Sequence, residues 1–336
     1  MKVLMITGDK NFKPGYPRFA LQAAMVEKLD IVYWGRGALW PVVPDEQYDV
    51  VTSQDPFLRG LFAWSVAKSI GARLNVQVHT NLDVPIYHNM GTLWKLWVAR
   101  LVVSRADSVR VVSEKIKQQV EKFGVHAPII VLPVFVDIAR FKNISPVEHQ
   151  QKIILWLGRF EPEKDPLYAL EIFKKVLAAG IDAKLIMLGK GSLEKTLRES
   201  AGSAIVREAA AGIIPPVARC TTPEGITSAA ASVSFPGWRD PVEYLAQADV
   251  VLCTSLHESW GASIVESLAA GMPVVAPDVG VAREAGAHVA ERTKLAEALI
   301  EVLRSGERGE LKLSLPTEAV WQKRLRESLQ PVTVDA

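Results

Sequence analysis

The sequence of 336 residues contains little cysteine and carries almost no net charge. Cys220 and Cys253 are its two cysteines, so a cysteine-based metal cluster is excluded and a reducing compartment is the simpler interpretation. Lys and Arg together number 39 against 37 Asp and Glu, a net charge of +2, whereas a dedicated nucleic-acid binder usually carries a basic excess. We therefore expect a cytoplasmic protein with no nucleic-acid partner.

Long apolar runs are also missing. No stretch of about 18 apolar residues is uninterrupted by charge, which argues against a membrane-spanning helix. The first residues, MKVLMITGDKNFKPG, form a short apolar run followed by charged and turn residues, with no small-residue cleavage site. They predict a first strand rather than a signal peptide.

Three motifs of nucleotide chemistry are absent. The loop after the first strand, Gly8 to Lys13, lacks the Gly-x-Gly-x-x-Gly pattern, which argues against a Rossmann dehydrogenase. No Gly-x4-Gly-Lys-Ser/Thr loop occurs, and Lys190 in LGKGS resembles only its end. An Asp-x-Asp motif is also missing.

Short β-branched runs alternate with longer segments of helical period, which predicts βα units and parallel sheets. In the first half, strands are predicted at Lys2–Thr7, Asp30–Trp34, Val50–Ser53, Arg73–His79, Ser108–Val112 and Ile129–Leu132, and helices at Arg18–Lys28, Pro56–Ile70, Leu93–Ser104 and Ser113–Phe123. In the second half, strands are predicted at Ile153–Leu157, Ala183–Leu188, Ser232–Phe235, Val250–Cys253 and Val274–Pro277, and helices at Pro166–Ala179, Ser192–Glu199 and Ser263–Ala270.

The length suits two domains, and the polar segment Phe141–Lys152 is the predicted linker. We predict two Rossmann-like, doubly wound α/β domains at residues 1–145 and 146–315. A helix within residues 316–336 is expected to cross back to the first domain. The segment Ser200–Ala231 has no clear period, so it is either an insertion with its own short structure or a mobile flap.

The first chemical motif, GRFEPEKDP, directly follows a predicted strand. Gly158 permits close backbone approach, and Arg159 and Lys164 supply two cations beside the positive end of the next helix. In an open α/β sheet, ligands bind at the carboxyl ends of strands, so the loop could hold a diphosphate. The alternative is a pair of solvated charges bonded to neighbouring acids.

The second motif, HESWGASIVESLAAGMP, also follows a strand. Glu258 lies in a strand-to-helix loop, and Glu266 lies eight residues later, about two helical turns away. An acid in an apolar helix needs a partner, and the two ribose hydroxyls would satisfy both of its oxygens. The alternative is one surface glutamate and one loop glutamate near a helix cap.

Three segments in this order resemble the C-terminal domain of the GT-B glycosyltransferases of the large retaining family 4. GRFEPEKDP resembles that family's Gly-Arg-x4-Lys diphosphate loop. PGWRDPVEYLAQADVVLCTS resembles the strand, helix and strand that lead to its donor site, and HESWGASIVESLAAGMPVVAP resembles its Glu-x7-Glu segment. The resemblance covers roughly residues 150–290, and the agreement of spacing and order makes it specific.

The resemblance implies two domains that face a central cleft. It implies transfer of a sugar, with retention, from a UDP- or GDP-type nucleotide sugar to an acceptor hydroxyl, with no metal and no cofactor. Arg159 and Lys164 would neutralise the diphosphate, Glu258 would hold donor-sugar hydroxyls and Glu266 would hold the ribose. The remaining implied donor contacts are Gly158, Gly189, Gly237, Ser259, Trp260 and Gly261. The alternatives are a non-catalytic sugar-nucleotide or glycan-binding protein on the same fold, and a GT-B relative that epimerises or phosphorolyses.

The first domain matches less closely. DVVTSQDPF, the strand ending in Val-His-Thr and ADSVRVVSE resemble the middle of the family's acceptor domain, where a His commonly lies beside the donor sugar. His79 takes that role by resemblance, the alternative being a hydrogen-bonded loop histidine. The family's Gly-Gly pair is replaced by GDKNFKPGYPRF, in which Gly15 alone could approach the donor phosphate. Tyr16 and Pro17 would reshape the acceptor pocket.

The expected acceptor is a glycan or a lipid-linked molecule. Leu93–Leu101 mixes tryptophans with basic residues, as interfacial helices do. Between Lys95 and Gly124, three acids face a larger set of basic residues: Lys95, Arg100, Arg105, Arg110, Lys115, Lys117 and Lys122. The sharper hypothesis is peripheral contact with the inner face of the cell membrane, and the alternative is an ordinary core helix with a solvated charged face.

Overall fold

The computed structural model describes residues 1–35, 41–84, 91–142, 144–145, 147, 149–202 and 232–330. The chain divides into two compact units, one formed by Met1–Phe135 with Leu315–Ala336 and the other by Val136–Ser314. The first boundary lies before the segment where the sequence predicts the linker. Helix α5 (Ala139–Lys142) packs on helix α9 (Ala262–Ala269), and it therefore belongs to the second unit. Most of the predicted insertion lies outside the described residues.

The first unit contains a six-stranded parallel sheet in the order β2-β1-β3-β4-β5-β6. Its strands are β1 Lys2–Thr7, β2 Lys28–Tyr33, β3 Val50–Ser53, β4 Arg73–Val78, β5 Ser108–Val111 and β6 Ile129–Val131. Its helices are α1 Pro17–Ala23, α2 Leu58–Ile70, α3 Leu93–Val103, α4 Glu114–Glu121 and α12 Glu318–Ser328. All six predicted strands are confirmed, and the Ser113 side chain caps α4 by accepting a hydrogen bond from the N–H of Ile116 at 3.3 Å. Helix α1 ends earlier than predicted, because β2 already begins at Lys28 to pair with Lys2.

The last helix of the described chain, α12, packs on this first sheet. The Trp321 indole is 2% exposed and donates to the Pro133 carbonyl at 2.8 Å. The carbonyl of Ser328 accepts hydrogen bonds from Asn75 at 3.0 Å and from Ser108 at 2.7 Å. Buried polar groups of β4 and β5 therefore hold the end of α12, and an unpaired polar group at either strand would carry a desolvation cost.

The second unit contains another six-stranded parallel sheet, in the order β12-β11-β10-β7-β8-β9. Its strands are β7 Lys152–Leu157, β8 Ala183–Leu188, β9 Ser232–Gly237, β10 Val250–Leu252, β11 Val274–Ala276 and β12 His288–Val289. Its other helices are α6 Pro166–Ala178, α7 Glu194–Ala201, α8 Pro241–Leu245, α10 Ala282–Ala285 and α11 Leu295–Ser305. The strands are apolar on both faces because helices cover both. No helix in the described part of the chain is long and apolar enough to cross a bilayer.

Candidate functional site

Three glycines bring the loops after β7, β8 and β9 into backbone contact. The N–H of Gly158 donates to the Leu188 carbonyl at 3.0 Å, and the N–H of Gly189 donates to the Gly237 carbonyl at 3.1 Å. A Cβ atom on Gly189 would lie 1.8 Å from the Gly158 oxygen. These predicted donor-site glycines therefore meet at the carboxyl ends of neighbouring strands, where an open α/β sheet binds its ligand.

We expect Gly189→Ala to lower the free energy of unfolding by about 2 kcal/mol or more, because the added methyl group has no space. Gly306→Ala is the matched control, since Gly306 also has a positive φ but has no atom within 4 Å of its hypothetical Cβ. In that variant the free energy of unfolding should fall only by the strain of an alanine in the left-handed region, about 1–2 kcal/mol. Urea unfolding of both variants checks the difference, and equal losses would contradict the close approach.

The two predicted cations of GRFEPEKDP have different environments. The Arg159 side chain is 60% exposed and pairs with Glu163 at 2.6 Å. The Lys164 side chain is 19% exposed and pairs with Glu258, whose side chain is 11% exposed. Arg159 therefore makes the solvent-exposed contact with a neighbouring acid that the alternative interpretation expects. Lys164 is instead held by an acid from the second motif.

Thr254, just after β10, fixes the backbone that carries Lys164. Its hydroxyl lies 3.0 Å from the Lys164 carbonyl and 2.8 Å from the Asp165 carbonyl, and it accepts from the Trp156 indole at 2.9 Å. The hydroxyl of Ser255 donates to Glu258 at 2.8 Å. The two motifs, about 90 positions apart in sequence, thus form one hydrogen-bonded cluster.

Asp165 and Arg292 belong to the same cluster, although neither is among the site residues predicted from the sequence. Asp165 has a φ of +45° and pairs with Arg292, which also donates to the Thr254 carbonyl at 2.6 Å. The Arg292 guanidinium lies over the Tyr168 ring, 4.5 Å from its centroid. The position of Asp165 next to Lys164 was a usable signal, but nothing in the sequence around Arg292 indicated this contact.

Glu266 lies in α9, which starts after Gly261 in the left-handed region with a φ of +94°. Among the described residues, the Glu266 carboxyl has no hydrogen-bond or ion-pair partner. Burial raises its pKa to about 7, and the positive charge of Arg140 opposes that shift. The assignment of Glu266 to the ribose hydroxyls stays a prediction.

Trp260, which precedes Gly261, is 9% exposed. Its indole N–H is buried and has no acceptor among the described residues, while its carbonyl accepts from the N–H of Val281 at 3.0 Å. The side chain is thus anchored by its backbone and retains one unused donor.

His79 follows β4 in the first unit and lines a cavity of about 250 Å³. Its Nε2 atom is buried and has no partner in the described residues. Burial, together with the positive charges of Arg110 and Arg18, lowers the pKa of His79 to about 3, so the imidazole is neutral. Among the described residues, no hydrogen bond to Nε2 supports the alternative interpretation, in which His79 is a hydrogen-bonded loop histidine.

Gly15 lies in the loop between β1 and α1 with a φ of +92° and open space where a Cβ would stand. It does not line the cavity that contains His79. The close approach in this loop is made instead by Gly8, where a Cβ would lie 2.3 Å from the Arg59 guanidinium.

Arg110 does not belong to the exposed basic surface that the sequence predicts between Lys95 and Gly124. It is 1% exposed, because it lies on β5 inside the sheet, and it donates to the carbonyls of Leu132 at 3.1 Å and Pro133 at 3.0 Å. Burial lowers its pKa to about 9. It cannot contribute to a charged surface.

Within the described residues, no cluster of three or more His, Cys, Asp or Glu side chains could hold a metal ion.

Family models match both units of the chain. The model described as Glycosyltransferase Family 4 matches residues 10–140, and the model described as Glycosyl transferases group 1 matches residues 151–305. The Anabaena protein HepE, solved in complex with UDP, has the same fold, with a TM-score of 0.65 at 16% identity over 100% of this chain and 97% of that one. Two Rossmann-like units of this kind define the GT-B class of glycosyltransferases.

Within that class, the chain belongs to the group 1 glycosyl transferases of family 4. It is 26% identical to the phosphatidyl-myo-inositol mannosyltransferase of Mycobacterium leprae, over 82% of this chain and 70% of that protein. It is 24% identical to the alpha-monoglucosyldiacylglycerol synthase of Streptococcus pneumoniae, over 78% of this chain. The chain spans 58% of the length of that streptococcal protein.

Proposed function

We propose that this protein transfers a sugar, with retention of anomeric configuration, from a UDP- or GDP-type nucleotide sugar to an acceptor hydroxyl. The observation that carries the proposal is the Lys164–Glu258 pair at the carboxyl ends of β7 and β10, near the glycine loops. A fixed ammonium placed there is suited to a departing diphosphate, because preorganised cations stabilise developing negative charge. No cofactor or metal is part of the proposal.

In this proposal, the diphosphate lies near the start of α6, where Arg159 and Lys164 flank a helix N-terminus with no side-chain cap. The Arg159 guanidinium would exchange its surface contact with Glu163 for a phosphate oxygen. Lys164 would be shared between the phosphate and Glu258. Both cations would thus lie close to the proposed diphosphate position before the donor binds, which lowers the reorganisation required.

Donor-sugar hydroxyls are assigned to Glu258 and to the backbone that follows it. The N–H groups of Trp260 and Gly261 have no acceptor among the described residues, and they precede α9. Ser259 lies in the same loop and is also assigned to the donor sugar. The ribose is assigned to Glu266, whose carboxyl lacks a protein partner. These groups position and stabilise the donor, and none of them attacks it.

Nucleotide release from a panel of nucleotide sugars, measured with and without candidate acceptors and with and without EDTA, tests the proposal. Acceptor-dependent release that EDTA leaves unchanged is expected. Tight nucleotide binding without release for any donor and acceptor would instead support the alternative, a binding protein on the same fold.

Affinity for the nucleotide sugar should rise with pH between about pH 6 and 8. Ribose hydroxyls donate to a carboxylate, and burial holds the pKa of Glu266 near 7, so protonation below that value removes the acceptor form. We expect a change of up to about tenfold across this range, and Glu266→Gln should remove it. Calorimetric titration with an intact nucleotide sugar checks this, because its diphosphate has no proton to lose in that range. A pH profile that is equal in both proteins would contradict the ribose assignment.

We further propose that α3 contacts a membrane that carries the acceptor. The helix buries Ala99, Val102 and Val103 but leaves the side chains of Trp94 and Trp97 44% and 70% exposed. Exposed tryptophans beside basic residues are typical of interfacial helices, whereas a core helix would bury them. The names of both relatives described above refer to membrane lipids.

The double variant Trp94→Ala/Trp97→Ala should bind anionic vesicles about tenfold or more weakly than the wild type, because two interfacial aromatic anchors are lost. Trp238→Ala is the control, since Trp238 is 57% exposed but lies in the second unit. Cosedimentation at low and high salt measures the difference. Failure of the wild type to bind anionic vesicles at low salt would favour a soluble acceptor.

A further inference from the structure

Asp165, between Lys164 and α6, has a backbone conformation that its place in the chain disfavours. Its φ and ψ are +45° and +57°, and among the described residues it is the one non-glycine residue with a positive φ. It also precedes Pro166, and a proline pushes the residue before it toward extended backbone. A residue strained in this way keeps its conformation only where its surroundings hold it, and such residues cluster at functional sites.

Hydrogen bonds hold Asp165 by its N–H, its carbonyl and its carboxylate. The N–H donates to the Pro162 carbonyl at 3.1 Å, and the carbonyl lies 2.8 Å from the Thr254 hydroxyl. The carboxylate pairs with Arg292, which lies 127 positions along the chain in the short 3-10 helix Arg292–Lys294. This ion pair is the one of the three contacts that depends on the aspartate side chain, since the other two use its backbone.

Arg292 is itself held on several sides. Its guanidinium also donates to the Thr254 carbonyl at 2.6 Å, and it lies over the Tyr168 ring, 4.5 Å from the ring centroid. The Tyr168 hydroxyl donates back to the Arg292 carbonyl at 2.5 Å. The planar guanidinium thus holds a carboxylate and a carbonyl at once, a fixed fork that the single ammonium of a lysine does not provide.

Arg292 therefore connects the two backbone segments that carry the proposed diphosphate site. Through the Asp165 carboxylate it holds the loop that contains Lys164. Through the Thr254 carbonyl it holds the segment after β10 that leads to Glu258. The side chains of Lys164 and Glu258 pair across the same junction. A shift of either segment would displace the ammonium, and a misplacement of about 1 Å can lower a rate by about 100-fold.

We infer that Arg292 is a positioning residue for sugar transfer, because it holds Asp165 in the left-handed conformation and thereby fixes the Lys164 ammonium beside Glu258. The inference rests on the proposed function, since Arg292 would act on the diphosphate only through Lys164. Arg292→Ala should lower kcat by about 10- to 100-fold, with a smaller change in KM for the nucleotide sugar, because the diphosphate gains charge in the transition state. Arg292→Lys should recover only part of that loss.

A double-mutant cycle on initial rates tests whether Arg292 acts through Lys164. In the Lys164→Ala background, Arg292→Ala should cause little further loss of kcat/KM, because the group that it positions is already gone. Losses that multiply would show that Arg292 acts independently of Lys164, for example by touching the diphosphate itself, and they would overturn the inference.

Asp165→Gly provides a rescue that a merely structural role does not predict. Glycine adopts a positive φ without strain, so the backbone no longer needs the ion pair to hold it. In the Arg292→Ala background, Asp165→Gly should therefore raise kcat toward the wild-type value. Asp165→Ala in the same background should not, because alanine keeps the strain of the left-handed region. Equal kcat values in these two double variants would contradict the inference.

Arg198→Ala is the matched control for loss of packing. Arg198 also pairs with an acid, Glu194 at 3.1 Å, donates to the Phe235 carbonyl at 3.4 Å and lies over the Phe235 ring, 5.1 Å from its centroid. Urea unfolding should show similar losses of stability in Arg198→Ala and Arg292→Ala, whereas kcat should fall only in Arg292→Ala. An equal fall of kcat in both variants would rule out a specific positioning role.

Turnover by the wild type separates this inference from the proposed function. If the wild type releases no nucleotide from any nucleotide sugar with any acceptor, the proposed function fails and the inference fails with it. If the wild type turns over the donor and Arg292→Ala does so at the same kcat, only the inference fails.

Discussion

Lys164→Ala is expected to lower kcat/KM for the nucleotide sugar by about 100- to 1,000-fold, the effect of removing one preorganised group that stabilises a developing charge. Lys164 is the less exposed of the two cations in its loop, and its backbone is fixed by Thr254. Its loss leaves the departing diphosphate with Arg159 and the helix terminus. Initial rates at saturating acceptor measure the effect.

The same substitution removes the ionic partner of Glu258. A partly buried carboxylate without a cation costs stability, so the free energy of unfolding should fall by about 1–3 kcal/mol. The double variant Lys164→Met/Glu258→Gln removes both charges, and it should recover much of that stability without recovering turnover. Arg159→Ala should impair turnover with little loss of stability, because its pair with Glu163 is exposed. Wild-type turnover in both Lys164→Ala and Arg159→Ala would refute the diphosphate assignment.

Glu258→Gln should lower kcat by about 100-fold or more while leaving nucleotide affinity nearly unchanged. Glutamine can still accept the hydrogen bond from Ser255, but it loses the charge that holds Lys164 and the strong acceptor proposed for the donor sugar. Single-turnover rates and the Kd for free UDP or GDP, measured on the same preparation, separate the two effects.

Glu266→Gln is the matched comparison, because it is the other carboxylate of the same motif and is assigned to the ribose. It should weaken binding of the free nucleotide and change transfer less at saturating donor. Equal losses of nucleotide affinity in Glu258→Gln and Glu266→Gln would contradict the division of roles between the two acids.

Much of this architecture is visible in the sequence because parallel strands covered on both faces are short, continuous apolar runs. The predictions for β1 and β8 are exact to the residue, and a glycine directly follows each strand. The two-residue strand β12 is too short to show a period. Helix α11 was missed although its buried residues, among them Leu295, Leu299 and Val302, have helical spacing.

The site was partly predictable for a different reason. Glycines and charges that follow strands are local signals, and they identified Gly158, Lys164 and Glu258. The partner of a side chain is set by tertiary packing, so the pairing of Lys164 with Glu258 and the contact of Arg292 with Asp165 could not be derived from spacing.

The most direct test of the proposed transfer is to follow one reaction by proton NMR, from nucleotide sugar and acceptor to products. The proposal predicts one glycosylated acceptor for each nucleoside diphosphate released, with the anomeric configuration of the donor retained in the product. Glu258→Gln and Lys164→Ala should slow both products together. Inverted configuration, or nucleotide binding with no glycosylated product for any acceptor, would contradict it.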